Sequence, residues 1–170
     1  MQLRVPDKKV VEWVRRWRNE DISCMRTPYQ IAEEMQQNFY QDVICNRDSR
    51  HRYWAVWEGD DCIAFGGLTN IQWENRIAEI SLIVNPNHTG KGVGRNVVHL
   101  LLKEGFGNMN LQTIFGECYM CSKSIGFWRR MVGEIKGYMT SLPRHKYWQG
   151  EYYDSLYFSF DRKCLCNLKK

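Results

Sequence analysis

No second Cys-x-x-Cys pair accompanies Cys118 and Cys121 among the seven cysteines of the 170-residue chain, which stand at positions 24, 45, 62, 118, 121, 164 and 166. An odd count with a single such spacing disfavours both a disulfide framework and a zinc site, so no metal is expected and Cys164 and Cys166 read as free thiols. No hydrophobic run approaches the length of a membrane span, and the opening Met1-Gln2-Leu3-Arg4-Val5-Pro6 lacks the form of a signal peptide. The expectation is a cytoplasmic protein with no membrane partner. Repeats and low-complexity segments are absent too. The net charge of +5 is not massed anywhere; the densest basic group is Arg15, Arg16 and Arg18, interleaved with Trp13 and Trp17. Such a patch can hold nucleic acid. However, Val10, Trp13, Val14 and Trp17 recur at i, i+3, i+4 and i+7, the pattern of an amphipathic helix with its tryptophans toward a core and its arginines toward water. A hydrophobic content of 44% over this length supports one domain that needs neither disulfides nor metal to bury a core.

What is present centres on residues 80–95. An apolar strand, Ile80-Ser81-Leu82-Ile83-Val84, runs into a polar turn with glycines at alternate positions, Gly90, Gly92 and Gly94, and then into helical spacing from Val97. Strand, glycine loop and helix make an anion-binding arrangement, because glycine lets the backbone approach a phosphate and the first N–H groups of a helix point outward. Two further absences narrow it. A nucleoside-triphosphate loop needs Ser or Thr after Gly-Lys, and Gly92 follows Lys91. A dinucleotide fingerprint needs a glycine three residues after Gly94, where Val97 stands. Alone, the loop could also be a plain turn.

The remaining chain supplies the context. Thr27-Pro28-Tyr29-Gln30 has the form of a helix start, followed by Ile31, Met35, Phe39 and Val43 every four residues. Strands are predicted over 53–57, 62–69 and 78–84 as an antiparallel meander, with turns at 58–61 and 73–76. A helix over 93–103 is broken by Gly105 and Gly107, and the strand over 113–119 returns parallel to its predecessor. A short helix over 122–131 stops at Gly133, and strands over 134–138 and 152–160 flank a loop at 142–150.

This order, with Thr89-Gly90-Lys91-Gly92-Val93-Gly94 and Cys121-Ser122-Lys123-Ser124-Ile125-Gly126-Phe127-Trp128 through Gly133, resembles the GNAT superfamily of acyl-CoA-dependent N-acetyltransferases. Gly150-Glu151-Tyr152-Tyr153-Asp154-Ser155-Leu156 is similar to the ending of its branch of ribosomal-protein, polyamine and amino-sugar-nucleotide acetyltransferases. The resemblance implies an α/β (α+β) fold with a mixed, mostly antiparallel sheet of six to seven strands, flanked by helices and holding one parallel crossover. It implies a single domain over 1–170, with 161–170 as a loose tail.

The resemblance also implies that acetyl-CoA is the cofactor, leaving as coenzyme A. Its pyrophosphate would lie on Thr89, Gly90, Lys91, Gly92, Val93, Gly94 and Arg95, and its pantetheine arm along Leu82, Ile83 and Val84, with Ser124, Phe127 and Trp128 nearby. Glu79 takes the position of the general base; read without the family, it is a carboxylate on the solvated face of a strand. The family's tyrosine, which protonates the departing thiolate, is replaced by Trp128, whose indole is no acid at neutral pH. Water, Tyr119, Cys121 or another tyrosine would then serve, or no acid at all; Cys121, which replaces the family's asparagine, is also a minor candidate for an acyl-bearing nucleophile. Trp17-Arg18-Asn19 resembles an element of the amino-sugar-nucleotide branch. An anionic small-molecule acceptor held by Arg18, Arg144, His145 and Lys146 is therefore the expectation. A polyamine would want an acidic pocket, which is not visible around 138–149. A protein N-terminus, an amine on a modified nucleic-acid base and a non-catalytic acyl-CoA-binding module stay open, and a homodimer is the compatible assembly.

Overall fold

Asp7 accepts a hydrogen bond from the Val10 N–H at 2.8 Å and so caps α1 (Lys8–Glu20) in the computed structural model, which describes residues 1–23 and 25–167. Ahead of it lies β1 (Gln2–Arg4), a short strand that three residues of sequence could not announce. After α2 (Glu33–Phe39) and a π-helical turn (Tyr40–Ile44) come β2 (Arg52–Glu58), β3 (Asp61–Gln72) and β4 (Ile77–Val84), the expected meander. Then follow α3 (Val93–Lys103), β5 (Thr113–Tyr119), α4 (Ile125–Ile135), β6 (Tyr138–Trp148) and β7 (Glu151–Asp161).

The seven strands form one sheet in the order β1-β2-β3-β4-β5-β7-β6, antiparallel except for β4 and β5. This is the mixed α/β architecture expected. The helices divide between its faces. α3 and α4 cover one face and bury Val97, Val98, Leu101, Leu102, Met131, Val132 and Ile135 against Leu68, Ile80, Ile114, Phe158 and Phe160. α1 packs Val10 and Val14 on the other face, against Ala55 and Phe65, with Trp13 and Trp17 half-buried at its border.

Four elements differ from the sequence expectation. α2 begins at Glu33 rather than at Pro28, because Asn19 closes the segment ahead of it with two hydrogen bonds to Ile31, to its carbonyl at 2.9 Å and from its N–H at 2.8 Å. On α2 the buried residue is Gln36, which donates to the Val11 carbonyl at 2.8 Å, while Met35 is exposed. Gly105 is not a breaker: the chain continues as a π-helical turn (Glu104–Asn108), and a Cβ at Gly105 would lie 2.6 Å from Ile114 and 2.7 Å from Leu68. α4 starts at Ile125 and runs through Gly133 to Ile135, since Ile135 continues its buried face; Lys136, at φ 60°, ends it.

The strand over 134–138 is thereby displaced, and β6 takes most of the expected 142–150 loop. Its sequence reads as a loop because it is an edge strand with Pro143 beside a bulge, where the β7 register shifts between Leu142 and Lys146 and Arg144 has φ 52°. In the expected tail, Asp161 belongs to β7, Arg162–Asn167 makes a 3-10 turn and Cys164 is buried; residues 168–170 lie outside the described residues. Among the described residues no helix is long and apolar enough to cross a membrane, and no group of three His, Cys, Asp or Glu could hold a metal.

Candidate active site

Strands β4 and β5 pair only from Ile77 to Glu79, opposite Thr113 to Phe115, and then part. Beyond Glu79, β4 keeps its pairing to β3 as far as Val84, so the backbone of Leu82, Ile83 and Val84 faces a cleft on its other edge. That open edge can receive an extended group as an added strand. The loop at its end turns through a short 3-10 segment (Pro86–His88) and two left-handed glycines, Gly90 at φ 74° and Gly92 at φ 78°. No atom lies within 4 Å of where a Cβ would stand on either, so their exposed side is open for a ligand. Gly92 begins α3 with no side-chain cap, and the first intrahelical bond runs from Asn96 to Gly92, so the N–H groups of Val93, Gly94 and Arg95 have no partner in their own helix. A diphosphate fits this cradle.

The polar side chains of Thr89, Lys91 and Arg95 are engaged elsewhere. Lys91 Nζ donates to the Asn87 carbonyl at 3.0 Å, Thr89 Oγ1 to the Pro86 carbonyl at 2.9 Å, and Arg95 Nε to both oxygens of Glu134 at 2.9 Å. Gly94 is the close-packed glycine, with the Phe127 ring 3.2 Å from its would-be Cβ. Ser124 lies between the Ser122 hydroxyl at 2.8 Å and the Cys118 sulfur at 3.4 Å. Trp128 is buried and stacks on Phe158 at 4.6 Å, so the side chain at the family's tyrosine position is core packing.

On the α1 face, just where the strands part, sits a network that the sequence did not display. Glu79, 7% exposed, receives Arg26 through two nitrogens, at 2.6 and 3.2 Å, and the Asn70 amide at 2.8 Å. Asn70 reaches it from the β3 bulge, with φ 49°. The same Arg26 lies 3.5 Å from Glu117 on β5, whose carboxylate meets His145 Nδ1 at 2.6 Å. His145 stands just after the bulge that Arg144 forms, and Ser155 Oγ is 3.3 Å from its Nδ1. Burial pushes the Glu117 carboxyl up, but hydrogen bonds from His145 and Ser155 and the charges of His145 and Arg26 outweigh it and hold it below the usual range. Arg26 is held well above the ordinary arginine value, chiefly by its hydrogen bond to Glu79. Tyr119 contributes to raising Arg26 and lies under Lys146, whose Nζ is 5.0 Å from its ring. Tyr157, opposite Glu117 on β7, is raised by burial and by both carboxylates.

The structure thus gathers Glu79, Tyr119, His145 and Lys146 and leaves others out. Arg144 is exposed and contributes its backbone N–H to Asp154 at 2.9 Å. Arg18 is partly buried rather than turned fully to water, beside Tyr53 and Tyr29, and burial draws it below the ordinary arginine value. Asn19 is committed to Ile31. Cys121 is disulfide-bonded and offers no thiol as acid or nucleophile, a bridge that spacing alone did not reveal. Cys62 and Cys118 are buried and free, with burial pushing the first up to about 11 and the second upward; Cys164 is buried and free too, while Cys24 and the side chain of Cys166 lie outside the described residues. Sequence reasoning missed Arg26, Asn70 and Glu117. Only Glu117 carried a signal: in the pattern Thr113, Phe115, Glu117, Tyr119 it is an acid on the face that Glu79 shares.

Comparisons with known proteins bear on this cleft. An uncharacterized N-acetyltransferase, YnaD, of Bacillus subtilis (strain 168) is 26% identical over 113 residues, 62% of this chain and 64% of the relative. The spermidine N(1)-acetyltransferase of Vibrio cholerae is 27% identical over 89 residues, 52% of this chain and 50% of that protein. The matches therefore span less than two thirds of either relative. The fold agrees over nearly the whole length with the crystal structure of spermidine N-acetyltransferase from Vibrio cholerae in complex with CoA and spermine, at a TM-score of 0.85, 19% identity and 97% of each chain. Residues 14–133, which hold the glycine loop, both carboxylates of the cleft and most of α4, match the acetyltransferase (GNAT) family, and the chain belongs to it.

Proposed function

We propose that this protein transfers the acetyl group of acetyl-CoA to a primary amine of a cationic, polyamine-type acceptor. The carrying observation is the pair of cleft carboxylates, Glu79 and Glu117, on adjacent strands where β4 and β5 part. The acidic pocket that seemed missing around 138–149 is supplied by β4 and β5, with His145 as its rim. The similarity to a spermidine acetyltransferase supports the same acceptor class. An amino-sugar nucleotide, by contrast, has less support: Asn19 is committed to Ile31, and Arg26, His145 and Lys146 are engaged with Glu79, Glu117 and the Met25 carbonyl. We take the working form to be an oligomer, as for a dodecameric spermidine N-acetyltransferase of Vibrio cholerae that shares this fold.

The chain's own groups account for the steps. The N–H groups opening α3, with Gly90 and Gly92, would hold a diphosphate, and the free edge of residues 82–84 would pair with the arm that follows it. Bound there, the thioester supplies the acetyl group. Backbone N–H groups on that edge are donors for the negative charge that develops on its oxygen. The acceptor arrives as an ammonium, drawn by Glu79 and Glu117, and must lose a proton before it can attack. Glu79 and the Glu117–His145 pair are the proton acceptors in reach. We assign the return of a proton to the leaving sulfur to Tyr119, at the end of β5, although a thiolate with a pKa of about 8.5 leaves tolerably without one.

The test is acetyl transfer from acetyl-CoA to spermidine, a peptide N-terminus and a nucleotide-linked amino sugar, read by thiol release and product mass. Spermidine is expected to be acetylated fastest. Binding of acetyl-CoA with transfer to none of them would leave a non-catalytic acyl-CoA-binding module instead.

A further inference from the structure

We propose that Arg26 is a specificity-determining residue that occupies the acceptor's ammonium site, so that an incoming cation must displace its guanidinium from Glu79 and Glu117. The inference rests on the polyamine-type reading above. One guanidinium touches both cleft carboxylates, at 2.6 and 3.5 Å, which is the place and charge an ammonium would take. The carboxylates are inside, 10% and 15% exposed, while the Arg26 side chain is 58% exposed and stands at the mouth.

The segment that carries Arg26 is tied at several points, which leaves its side chain as the part free to move. Residues 21–23 and 25–32 lie between α1 and α2 as a strap, pinned at its base by Asn19 to Ile31. Lys146 Nζ, on a residue 9% exposed, donates to the Met25 carbonyl at 2.7 Å and holds the backbone beside Arg26. Asp21 meets Lys123 at 2.6 Å at the other end. With the backbone held, rotation about the arginine's own torsions clears the site.

The exchange sets a threshold on the acceptor. A monoamine replaces one positive charge by one and gains little over the resident arginine. A linear polyamine brings two or more, enough to neutralise Glu79 and Glu117 separately. Arg26 therefore filters against singly charged amines.

Calorimetric titration with spermidine measures this without turnover. Arg26→Gln is expected to bind spermidine at least tenfold more tightly than the unaltered protein, with acetyl-CoA affinity unchanged, and the gain should vanish in Arg26→Gln combined with Glu117→Gln. Arg26→Lys, which keeps the charge but cannot fork across two carboxylates, should fall between. Equal or weaker binding by Arg26→Gln, or a gain that survives in the double variant, overturns the proposal; if Arg26→Gln does not fold, Arg26→Lys binding no tighter than the unaltered protein does the same. Tight spermidine binding without acetyl transfer counts against the proposed activity and leaves the role of Arg26 standing.

Discussion

The glycine loop ahead of α3 and the acid cluster at Glu79 hang on the same strand, β4, yet they are built from different parts of the chain. The loop presents backbone: two left-handed glycines and the uncapped N–H groups of a helix start, all within residues 90–95. The cluster presents side chains drawn from positions 26, 70, 79, 117 and 145, brought together by three strands, a bulge and a strap. A backbone site depends on conformation and tolerates changes of side chain. A side-chain site fails when a single functional group is exchanged.

The largest effect should come from the side-chain half. Glu79→Gln keeps the shape of the site and removes a proton acceptor, so acetyl transfer should fall by roughly 10²–10⁴-fold while acetyl-CoA affinity holds. Steady-state kinetics in both substrates decides it, and an unchanged kcat would remove Glu79 from the proton path. In the backbone half, Gly92→Ala introduces a Cβ at φ 78°, a conformation that costs an L-residue about 1–2 kcal/mol. The KM for acetyl-CoA should rise about tenfold with the acceptor KM unmoved, whereas equal effects on both would show that the halves are not separable. The smallest effect concerns the strap. Asp21 is held down to about 2, first by the Lys123 hydrogen bond and then by Ser23. Because its folded value lies below its unfolded one near 4, its contribution is present above that pH and lost as pH falls toward about 2. The pair is exposed and worth up to about 1 kcal/mol, so Asp21→Asn should lower the thermal midpoint slightly at pH 7 and not at pH 2. A difference that persists at pH 2 would point to something other than the ion pair.

The same division governs what could be read from sequence. β2 to β5, β7 and α3 announce themselves through local period and turn residues, and the glycine spacing of the loop is contiguous, so both were legible. α2 and α4 were misplaced at their ends because their limits are set by distant partners: the Asn19 clasp for one and continued burial of Ile135 for the other. β6 was hidden by its polar edge composition and its bulge. The acid cluster was hidden for the same reason on a larger scale. Arg26 and Glu79 are separated by 53 residues, and nothing local to either one predicts the other.

The clasp between Asn19 and Ile31 has one more consequence. By bonding the last turn of α1 to the approach of α2, it closes the chain between them into a loop whose position over the cleft is set from outside that loop. A substitution within that loop therefore alters what stands before Glu79 and Glu117 without touching the glycine loop at the other end of β4.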